Sequence, residues 1–244
     1  MVHNLIFTVT IITKTWLHIW SGNELVEIWW IDQPVVKTRD GFPYIPGSSL
    51  KWKLRSLYEI YNIPKEELEK DKKNALKMFD GEYYDEVSMF FGKAWIEINN
   101  IKNLWPTRFI FRDLKLKKIS DKEIEKGYLG KTEFIKMKYD WNQIFEEKNE
   151  IIIDRKQWTS KNWWLRPLER VPFWVIFEWN LIVRLFEKEE ILKQWNKETE
   201  REILEDKFWK NLSKLKELIE ADYLWGQGSR WSGAIEIHFK EKTF

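Results

Sequence analysis

The segment LIFTVTIIT, from Leu5 to Thr13, decides the fold class of this 244-residue chain. From Leu5 to Ile12 its side chains alternate between a purely apolar set and a mixed set that contains Thr8 and Thr10. An alternation with a period of two predicts a half-buried β-strand. The same pattern recurs near the other end of the chain, from Ile235 to Lys240. The sequence therefore predicts a strand at each end of the fold.

Two amphipathic helices are predicted between these terminal strands. After Pro46, the residues Ser48 and Ser49 are N-cap candidates, and apolar residues then recur at helical spacing as far as Tyr61. The segment 208–219 repeats this spacing before a glycine-containing stretch leads into the last strand.

Further elements complete a recognisable order. The segments 108–116 and 171–186 are strand candidates, and a charged third helix is predicted after Pro64. Strand, helix, middle strands, helix and strand together predict an α+β fold of the ferredoxin-like or RNA-recognition-motif type. Since no linker or repeat divides the chain, a single domain over 1–244 is predicted, with inserted segments at about 62–105 and 114–168.

The composition excludes several kinds of site. Without cysteine, the chain has no disulfide, zinc-thiolate site, iron–sulfur cluster or thiol nucleophile, and its three histidines lack metal-ligand spacing. A GxSxG nucleophile elbow is also absent. The most apolar stretch, 171–186, is too short and too polar to span a membrane, and the N-terminus resembles no export signal. We therefore expect a cytoplasmic protein that does not contact membranes.

Charge is distributed unevenly along the chain. The net charge of +2 is too small for a protein that coats nucleic acid by charge alone. However, the segment 155–170 has five basic residues and one acid, whereas 187–206 has eight acids and four bases. One part of the surface could hold phosphates while another repels them. The alternative is a pair of solvated charged faces without a ligand.

The start of the first predicted helix is a candidate phosphate site. Lys51 and Arg55 are four residues apart and therefore share a face, just after the two serines. Backbone N–H groups, hydroxyls and cations would converge there, which suits a phosphate or an RNA backbone. Helices without a ligand also carry cations at this spacing, so that alternative stays open.

Two other segments have both a functional and a plain structural explanation. In GQGSR, residues 226–230, the backbone could approach a ligand together with Gln227, Ser229 and Arg230, or it could form a helix C-cap and a tight turn. This segment follows a helix and opens a strand, which disfavours a nucleotide-binding loop. Asp32 lies in WWIDQPVVKT, where a turn-forming aspartate is the commoner explanation.

Several segments match one family in the family's order and cover nearly the whole chain. They are TWLHIWSG (15–22), WWIDQPVVKT (29–38), GFPYIPGSSLKWKLRSLYE (41–59), FFG (90–92), TRFIFRDL (107–114), IDR (153–155), LRPLERVP (165–172) and DYLWGQGSRWSG (222–233). With these segments the chain resembles the RAMP-superfamily backbone subunit of type III-A CRISPR effector complexes, the Csm backbone family. The sequence does not decide between type III-A and the related type III-B.

The resemblance implies a ribonucleoprotein. Copies of the protein would form a filament along a guide CRISPR RNA with other CRISPR effector subunits. Each copy would have an RNA-recognition-type palm, inserted helical segments and a thumb at about 114–170 that interrupts pairing with target single-stranded RNA. The predicted RNA-binding residues are His18, Ser48, Ser49, Lys51, Arg55, Arg155, Arg166, Arg170, Gln227, Ser229 and Arg230.

The resemblance also implies an endoribonuclease that cleaves the paired target RNA. Asp32 falls on the family's catalytic aspartate. Cleavage would proceed by attack of a ribose 2′-hydroxyl on a nucleotide splayed by the thumb, with Asp32 positioning the hydroxyl or the metal. Mg²⁺ or another divalent cation would bind weakly at Asp32, with the substrate completing its site.

Tryptophan replaces glycine at several positions of the family pattern. Glycine occurs 10 times and tryptophan 17 times, although glycine usually makes up about 7% of a chain. We hypothesise that the gene comes from an organism whose genetic code reads UGA as glycine, and that the sequence was translated with a code that reads UGA as tryptophan. The clear positions are Trp16, Trp20, Trp29, Trp52, Trp225 and Trp231, and further candidates are Trp30, Trp105, Trp158, Trp163 and Trp174. Replacement by glycine is expected to improve solubility and RNA affinity at five of these positions, Trp16, Trp20, Trp52, Trp225 and Trp231.

Two alternative functions remain at this point. The protein could be a non-catalytic RNA scaffold of the same superfamily, in which Asp32 only shapes a turn. From a different class, it could be a tryptophan-rich carbohydrate-binding protein, which would need its aromatic rings on one exposed face.

Overall fold

The computed structural model of the protein describes residues 2–19, 34–62, 87, 90–92, 107–140, 144–154, 156–186, 200–224 and 232–242. The strands are β1 (Val2–Thr13), β2 (Tyr44–Ile45), β3 (Phe109–Phe111), β4 (Leu114–Leu116), β5 (Glu146–Asp154), β6 (Thr159–Arg170), β7 (Ile176–Phe186) and β8 (Ile235–Glu241). The helices are α1 (Gly47–Asn62), α2 (Asp121–Glu125), α3 (Lys131–Tyr139) and α4 (Glu200–Glu220).

The main sheet is built around β1. Its strand order is β2-β4-β7-β1-β8, with β3 also paired to β7, and all of these pairings are antiparallel. In this register Val9 of β1 lies between Trp179 of β7 and Phe239 of β8. The first predicted strand is thus a central strand of the sheet, with β7 on one side and β8 on the other.

Both long helices contribute to the core formed on one face of this sheet. Phe7, Val9 and Ile11 of β1 are buried, which is the set predicted by the alternation of the sequence. They share one hydrophobic cluster with apolar residues of α1 and α4 that recur at helical spacing. The buried helix residues are Leu50, Leu54 and Tyr58 of α1, and Leu212, Leu215 and Ile219 of α4. A salt bridge of 2.9 Å between Lys53 and Asp222 joins α1 to the end of α4.

The predicted N-caps of the first helix are wrong by two and three positions, because the residue before the helix is Pro46. The helix α1 already begins at Gly47, so Ser48 and Ser49 lie in its first turn. The Gly47 N–H donates to Oδ1 of Asp113 at 2.9 Å, and the Pro46 carbonyl accepts from the Ser49 N–H at 3.1 Å. A carboxylate from a distant segment therefore supplies the cap that the local sequence was expected to provide.

Two predicted strands are shorter or more broken than the apolar pattern indicated. The segment 108–116 forms β3 and β4 with an interruption at 112–113, where the side chain of Asp113 turns to cap α1. The segment 171–186 becomes a strand only at Ile176, because residues 173–174 form a turn in which Trp174 has a φ of 66°.

The predicted insertion at 114–168 contains elements of its own. It includes α2, α3 and most of a two-stranded antiparallel sheet of β5 and β6, called the β5–β6 hairpin below. The helix predicted after Pro64 lies outside the described residues, and the single-domain boundary 1–244 stays a prediction. In the described part of the chain, no helix combines the length and apolar character needed to cross a membrane.

Candidate functional site

Glu169 connects three separate parts of the chain at the end of the β5–β6 hairpin. The residue is 4% exposed, and its Oε2 accepts the Val35 N–H at 2.9 Å while its Oε1 pairs with Nζ of Lys37 at 2.7 Å. Its backbone carbonyl accepts a hydrogen bond from Nδ1 of His18 at 2.7 Å. These contacts fix the segment that follows Asp32 in the sequence against β6 and against the chain leaving β1. We call this group of four residues the Glu169 cluster.

His18 was predicted to contact RNA, but its side chain is buried in the Glu169 cluster. It is 7% exposed, and burial lowers its pKa, although the hydrogen bond to the Glu169 carbonyl opposes this effect. Because a carbonyl can only accept, Nδ1 carries the proton of the neutral ring. In this structure His18 is a packed residue that is hydrogen-bonded to the Glu169 carbonyl.

Arg170, the next residue along β6, combines an ion pair with an aromatic contact. Its Nη2 pairs with Oε2 of Glu146 at 2.6 Å, and its guanidinium lies 4.9 Å from the ring centroid of Trp16. Trp16 in turn packs edge-to-face on Phe173 at 5.1 Å. The Arg170 charge is therefore partly compensated within the protein, so this residue contributes less to an RNA-binding surface than a solvated arginine would.

At α1, the two predicted phosphate-binding cations differ in their contacts. Arg55 donates from Nε to Glu59 at 2.6 Å and from Nη1 to the Gly92 carbonyl at 2.8 Å, so it has a structural role. Lys51 is half-buried, and burial together with the charge of Arg55 lowers its pKa. No acid among the described residues pairs with Lys51.

A half-buried ammonium without an acidic partner is stabilised when an anion binds beside it. Ser48 is exposed and Ser49 is half-buried, one turn or less from Lys51, so their hydroxyls lie at the same end of the helix. Of the predicted cations that the structure describes, Lys51 is thus the best placed to bind a phosphate.

Several of the predicted site residues belong to segments other than those that the structure describes. Asp32, Arg155, Gln227, Ser229 and Arg230 lie outside the described residues, and of Arg166 only the backbone is described, paired with Glu150. The chain segments that flank 20–33 are close together, since the Val36 N–H donates to the Ile19 carbonyl at 2.8 Å. The described chain therefore resumes at Pro34, beside the Glu169 cluster.

A basic cavity of about 580 Å³, which the sequence did not predict, lies between the 38–43 loop, β4 and β7. Its lining includes five cations and two acids, together with the exposed ring of Trp179. The cations are Arg39, Lys115, Lys117, Lys118 and Lys131. The run LKLKK at 114–118 was an available signal, but an alternating strand with lysines on its outer face has the same pattern.

A dedicated metal site is not found in the part of the chain that the structure describes. No group of three or more histidine, aspartate or glutamate side chains is arranged there to hold an ion. The described residues thus do not offer a preformed cage for Mg²⁺.

Among the described residues, the exposed tryptophans are distributed over the fold. Trp52 lies on α1, Trp158 in the turn of the β5–β6 hairpin, Trp174 in the turn before β7, Trp179 on β7 and Trp209 on α4. Rings on five different segments do not favour the single flat platform that carbohydrate binding would need.

Comparisons with known proteins give one consistent family. A family model described as the RAMP superfamily matches residues 11–235. The CRISPR system Cms endoribonuclease Csm3 of Methanocaldococcus jannaschii is 30% identical over 224 residues, which cover 92% of this chain and 74% of the relative. The protein of the same name from Streptococcus thermophilus is 29% identical over 97% of this chain and 88% of the relative.

Solved structures are similar in fold at much lower identity. A chain of the type III-B Cmr-beta complex in its apo state aligns over 96% of both chains with a TM-score of 0.55 and 16% identity. A chain of the Cmr-beta complex bound to cognate target RNA gives a TM-score of 0.51 and 13% identity over 98% of this chain and 97% of that one. At such identities the likeness concerns the fold alone.

Proposed function

Because this chain belongs to the RAMP superfamily and, within it, to the Csm3 family, we propose that it is the backbone subunit of a type III CRISPR effector complex. In that complex it binds guide CRISPR RNA along its length and cleaves paired target single-stranded RNA. The observation that carries this proposal is the family match over residues 11–235, together with relatives named as endoribonucleases. Its partners are copies of itself in a filament and the other effector subunits.

The described part of the fold agrees with a ferredoxin-like palm. Such a palm places its four strands in the spatial order second, third, first, fourth, with both helices on one face. In this chain the order β4-β7-β1-β8 has that arrangement, and residues of α1 and α4 share the core with β1. The β5–β6 hairpin lies in the sequence range predicted for the thumb.

Guide binding is proposed at the first turn of α1. Its N–H groups, the hydroxyls of Ser48 and Ser49 and the ammonium of Lys51 are donors suited to a backbone phosphate. The same role is proposed for Gln227, Ser229 and Arg230. Contacts of this kind read the RNA backbone and leave sequence recognition to base pairing, as in another RNA-guided effector.

Cleavage is proposed to depend on Asp32. This carboxylate would position the ribose 2′-hydroxyl of a splayed target nucleotide for in-line attack on the adjacent phosphate. The Glu169 cluster supports the assignment indirectly, because it holds the chain three residues after Asp32 through the buried Val35 N–H. Mg²⁺ or another divalent cation stays the predicted cofactor.

The test is an Asp32→Ala substitution in the assembled complex with guide and target RNA. We expect cleavage of target RNA to fall by at least about 100-fold, as for loss of a positioned catalytic group, while guide and target binding are retained. Asp140→Ala, which removes an exposed carboxylate at the end of α3, is the matched control and should cleave normally. Loss of guide and target binding in Asp32→Ala would instead make Asp32 a structural residue, and unchanged cleavage would show that Asp32 is not the catalytic group.

A further inference from the structure

The basic cavity between the 38–43 loop, β4 and β7 is not explained by the residues that the family resemblance identified. Five cations and two acids line it, which gives a local charge of +3 from five positive and two negative groups. Lys117 is already paired, because its Nζ lies 3.1 Å from Oε1 of Glu123 and 3.7 Å from Oε2 of Glu178, and with Glu123 counted the local charge is +2 from five positive and three negative groups. The cavity thus retains an excess of positive charge.

Four of its cations have no acidic partner among the described residues. The side chains of Arg39, Lys118 and Lys131 belong to exposed residues, and Lys115 lies with its Nζ 5.3 Å from the ring centroid of Trp179. Like charges crowded around one concave surface repel each other, and a polyanion bound there removes that repulsion. The charge pattern therefore favours an anionic ligand with several phosphates.

Aromatic side chains accompany these cations. Trp179 is 38% exposed at the cavity, and Phe42 contributes a second ring beside Lys138, whose Nζ lies 5.4 Å from its centroid. A positively charged groove combined with an exposed aromatic ring is the arrangement that binds single-stranded nucleic acid, with phosphates on the cations and a base on the ring.

The position of the cavity in the chain connects it to the proposed RNA path. Its 38–43 loop follows the segment that contains Asp32, and Pro43 leads through β2 directly to Gly47 at the start of α1. The cavity wall is thus continuous in the chain with both the proposed cleavage segment and the proposed phosphate site of Lys51.

We infer that this cavity is an additional binding site for single-stranded RNA, with phosphates on Lys115, Lys118 and Lys131 and one base stacked on Trp179. The inference rests on the proposed RNA-binding function and adds a site to it. It requires neither cleavage nor a metal ion.

The experiment measures binding of a fluorescein-labelled 15-nucleotide oligouridine to the full chain by fluorescence anisotropy at several NaCl concentrations. Each phosphate contact to single-stranded RNA contributes about 0.7 to the slope of log K against log [salt]. Lys118→Ala/Lys131→Ala should therefore reduce the slope by about 1.4 and weaken binding roughly 25-fold at 0.1 M salt, since 0.1 to the power −1.4 is about 25.

Trp179→Ala should weaken binding roughly tenfold without changing the slope, because stacking releases no counterions, and Trp179→Phe should retain most of the affinity. The matched control is Lys210→Ala/Lys240→Ala, which removes two exposed lysines of α4 and β8. This control should lose neither affinity nor slope.

Two results would overturn the inference while leaving the proposed function intact. The first is wild-type affinity and slope in Lys118→Ala/Lys131→Ala. The second is a change in self-association of that variant with no change in RNA binding, which would assign the cavity to an acidic protein surface. If the wild-type chain does not bind the oligonucleotide at all, the inference and the RNA-binding part of the proposed function fail together.

Discussion

Two tryptophans have backbone conformations that favour glycine. Trp158 has a φ of 53° and Trp174 a φ of 66°, and they are the only non-glycine residues with positive φ in the described part of the chain. Left-handed backbone costs an L-residue roughly 1–2 kcal/mol, and a bulky side chain is rarely found there. Both positions were further candidates in the hypothesis that UGA glycine codons appear as tryptophan, and the backbone now gives a physical reason for glycine at each.

Tertiary contacts prevent Trp174 from relaxing. Its N–H donates to the Thr13 carbonyl at 2.6 Å, and its own carbonyl accepts the Leu129 N–H at 2.9 Å. Its ring also contacts Tyr128, with centroids 5.6 Å apart. Trp158 has fewer compensating contacts, because its side chain is 84% exposed in the hairpin turn.

Trp158→Gly is therefore expected to stabilise the fold. The substitution removes left-handed strain and an exposed ring, so the free energy of unfolding should rise by about 1 kcal/mol. Chemical denaturation of the full chain measures this change. Codons other than UGA at positions 158 and 174 would remove these two positions from the recoding hypothesis, and UGG codons at the six clear positions would refute it, in both cases independently of stability.

Two control substitutions separate backbone strain from other effects of removing the ring. Trp158→Ala retains a Cβ and hence the strain, so it should give little of the gain. Trp209→Gly places glycine inside α4 and removes the edge-to-face contact with Phe7, whose ring centroid lies 5.1 Å away. Glycine inside a helix costs about 1 kcal/mol by itself, so this variant should lower the free energy of unfolding by more than that amount. Equal stability of Trp158→Ala and Trp158→Gly would contradict the strain argument.

At the scale of elements, the start of α1 shows how a distant residue sets a helix boundary. A Cβ added to Gly47 would lie 2.6 Å from the carbonyl carbon of Arg112, so the backbones approach too closely for another side chain. That approach brings Asp113 to the Gly47 N–H. The local pattern predicted the helix and its buried face, but the cap comes from a residue 66 positions away.

Removing this cap should weaken the first turn of α1. Asp113→Ala leaves the Gly47 N–H without its acceptor, and we expect a loss of about 1 kcal/mol in the free energy of unfolding. Asp113→Asn keeps an oxygen acceptor and is the control, with a loss of less than half as much. Thermal and urea denaturation measure both, and equal losses in the two variants would exclude capping as the cause.

At the scale of the whole molecule, the Glu169 cluster joins the chain that follows β1, the 34–38 segment and the β5–β6 hairpin. Glu169 was seen in the sequence only as the single acid of a basic segment, with no signal for burial. Its role depends on Val35 and Lys37, more than 130 residues earlier, which chain folding alone brings to it.

Glu169→Ala is expected to lower the free energy of unfolding by about 2–3 kcal/mol, since it leaves the buried Val35 N–H and the Lys37 ammonium without their acceptor. The control is Glu147→Ala, which changes the exposed residue directly opposite on β5 and should cost less than about 0.5 kcal/mol. If Glu169→Ala lowered the free energy of unfolding as little as Glu147→Ala does, the fold would tolerate the buried Val35 N–H without its acceptor, and the stabilising role of Glu169 would be refuted.

The sequence by itself determined the terminal strands, both long helices and the buried faces of β1, α1 and α4. These features depend on hydrophobic periodicity, which is local information. It also supported the family through ordered segments, and the family match confirmed that assignment. The spacing of Lys51 and Arg55 likewise predicted a candidate phosphate site at the start of α1.

Only the tertiary structure decided the position of the α1 cap, the break between β3 and β4, the burial of His18, the internal pairing of Arg55 and the existence of the basic cavity. Each depends on contacts between segments far apart in the chain, so no local pattern encodes it. Charge shows the difference most clearly, because a cation in the sequence is available to a ligand only if folding has not already supplied its partner. Folding supplied partners for Arg55 and Arg170, whereas among the described residues Lys51 and the cavity lysines 115, 118 and 131 have no acidic partner.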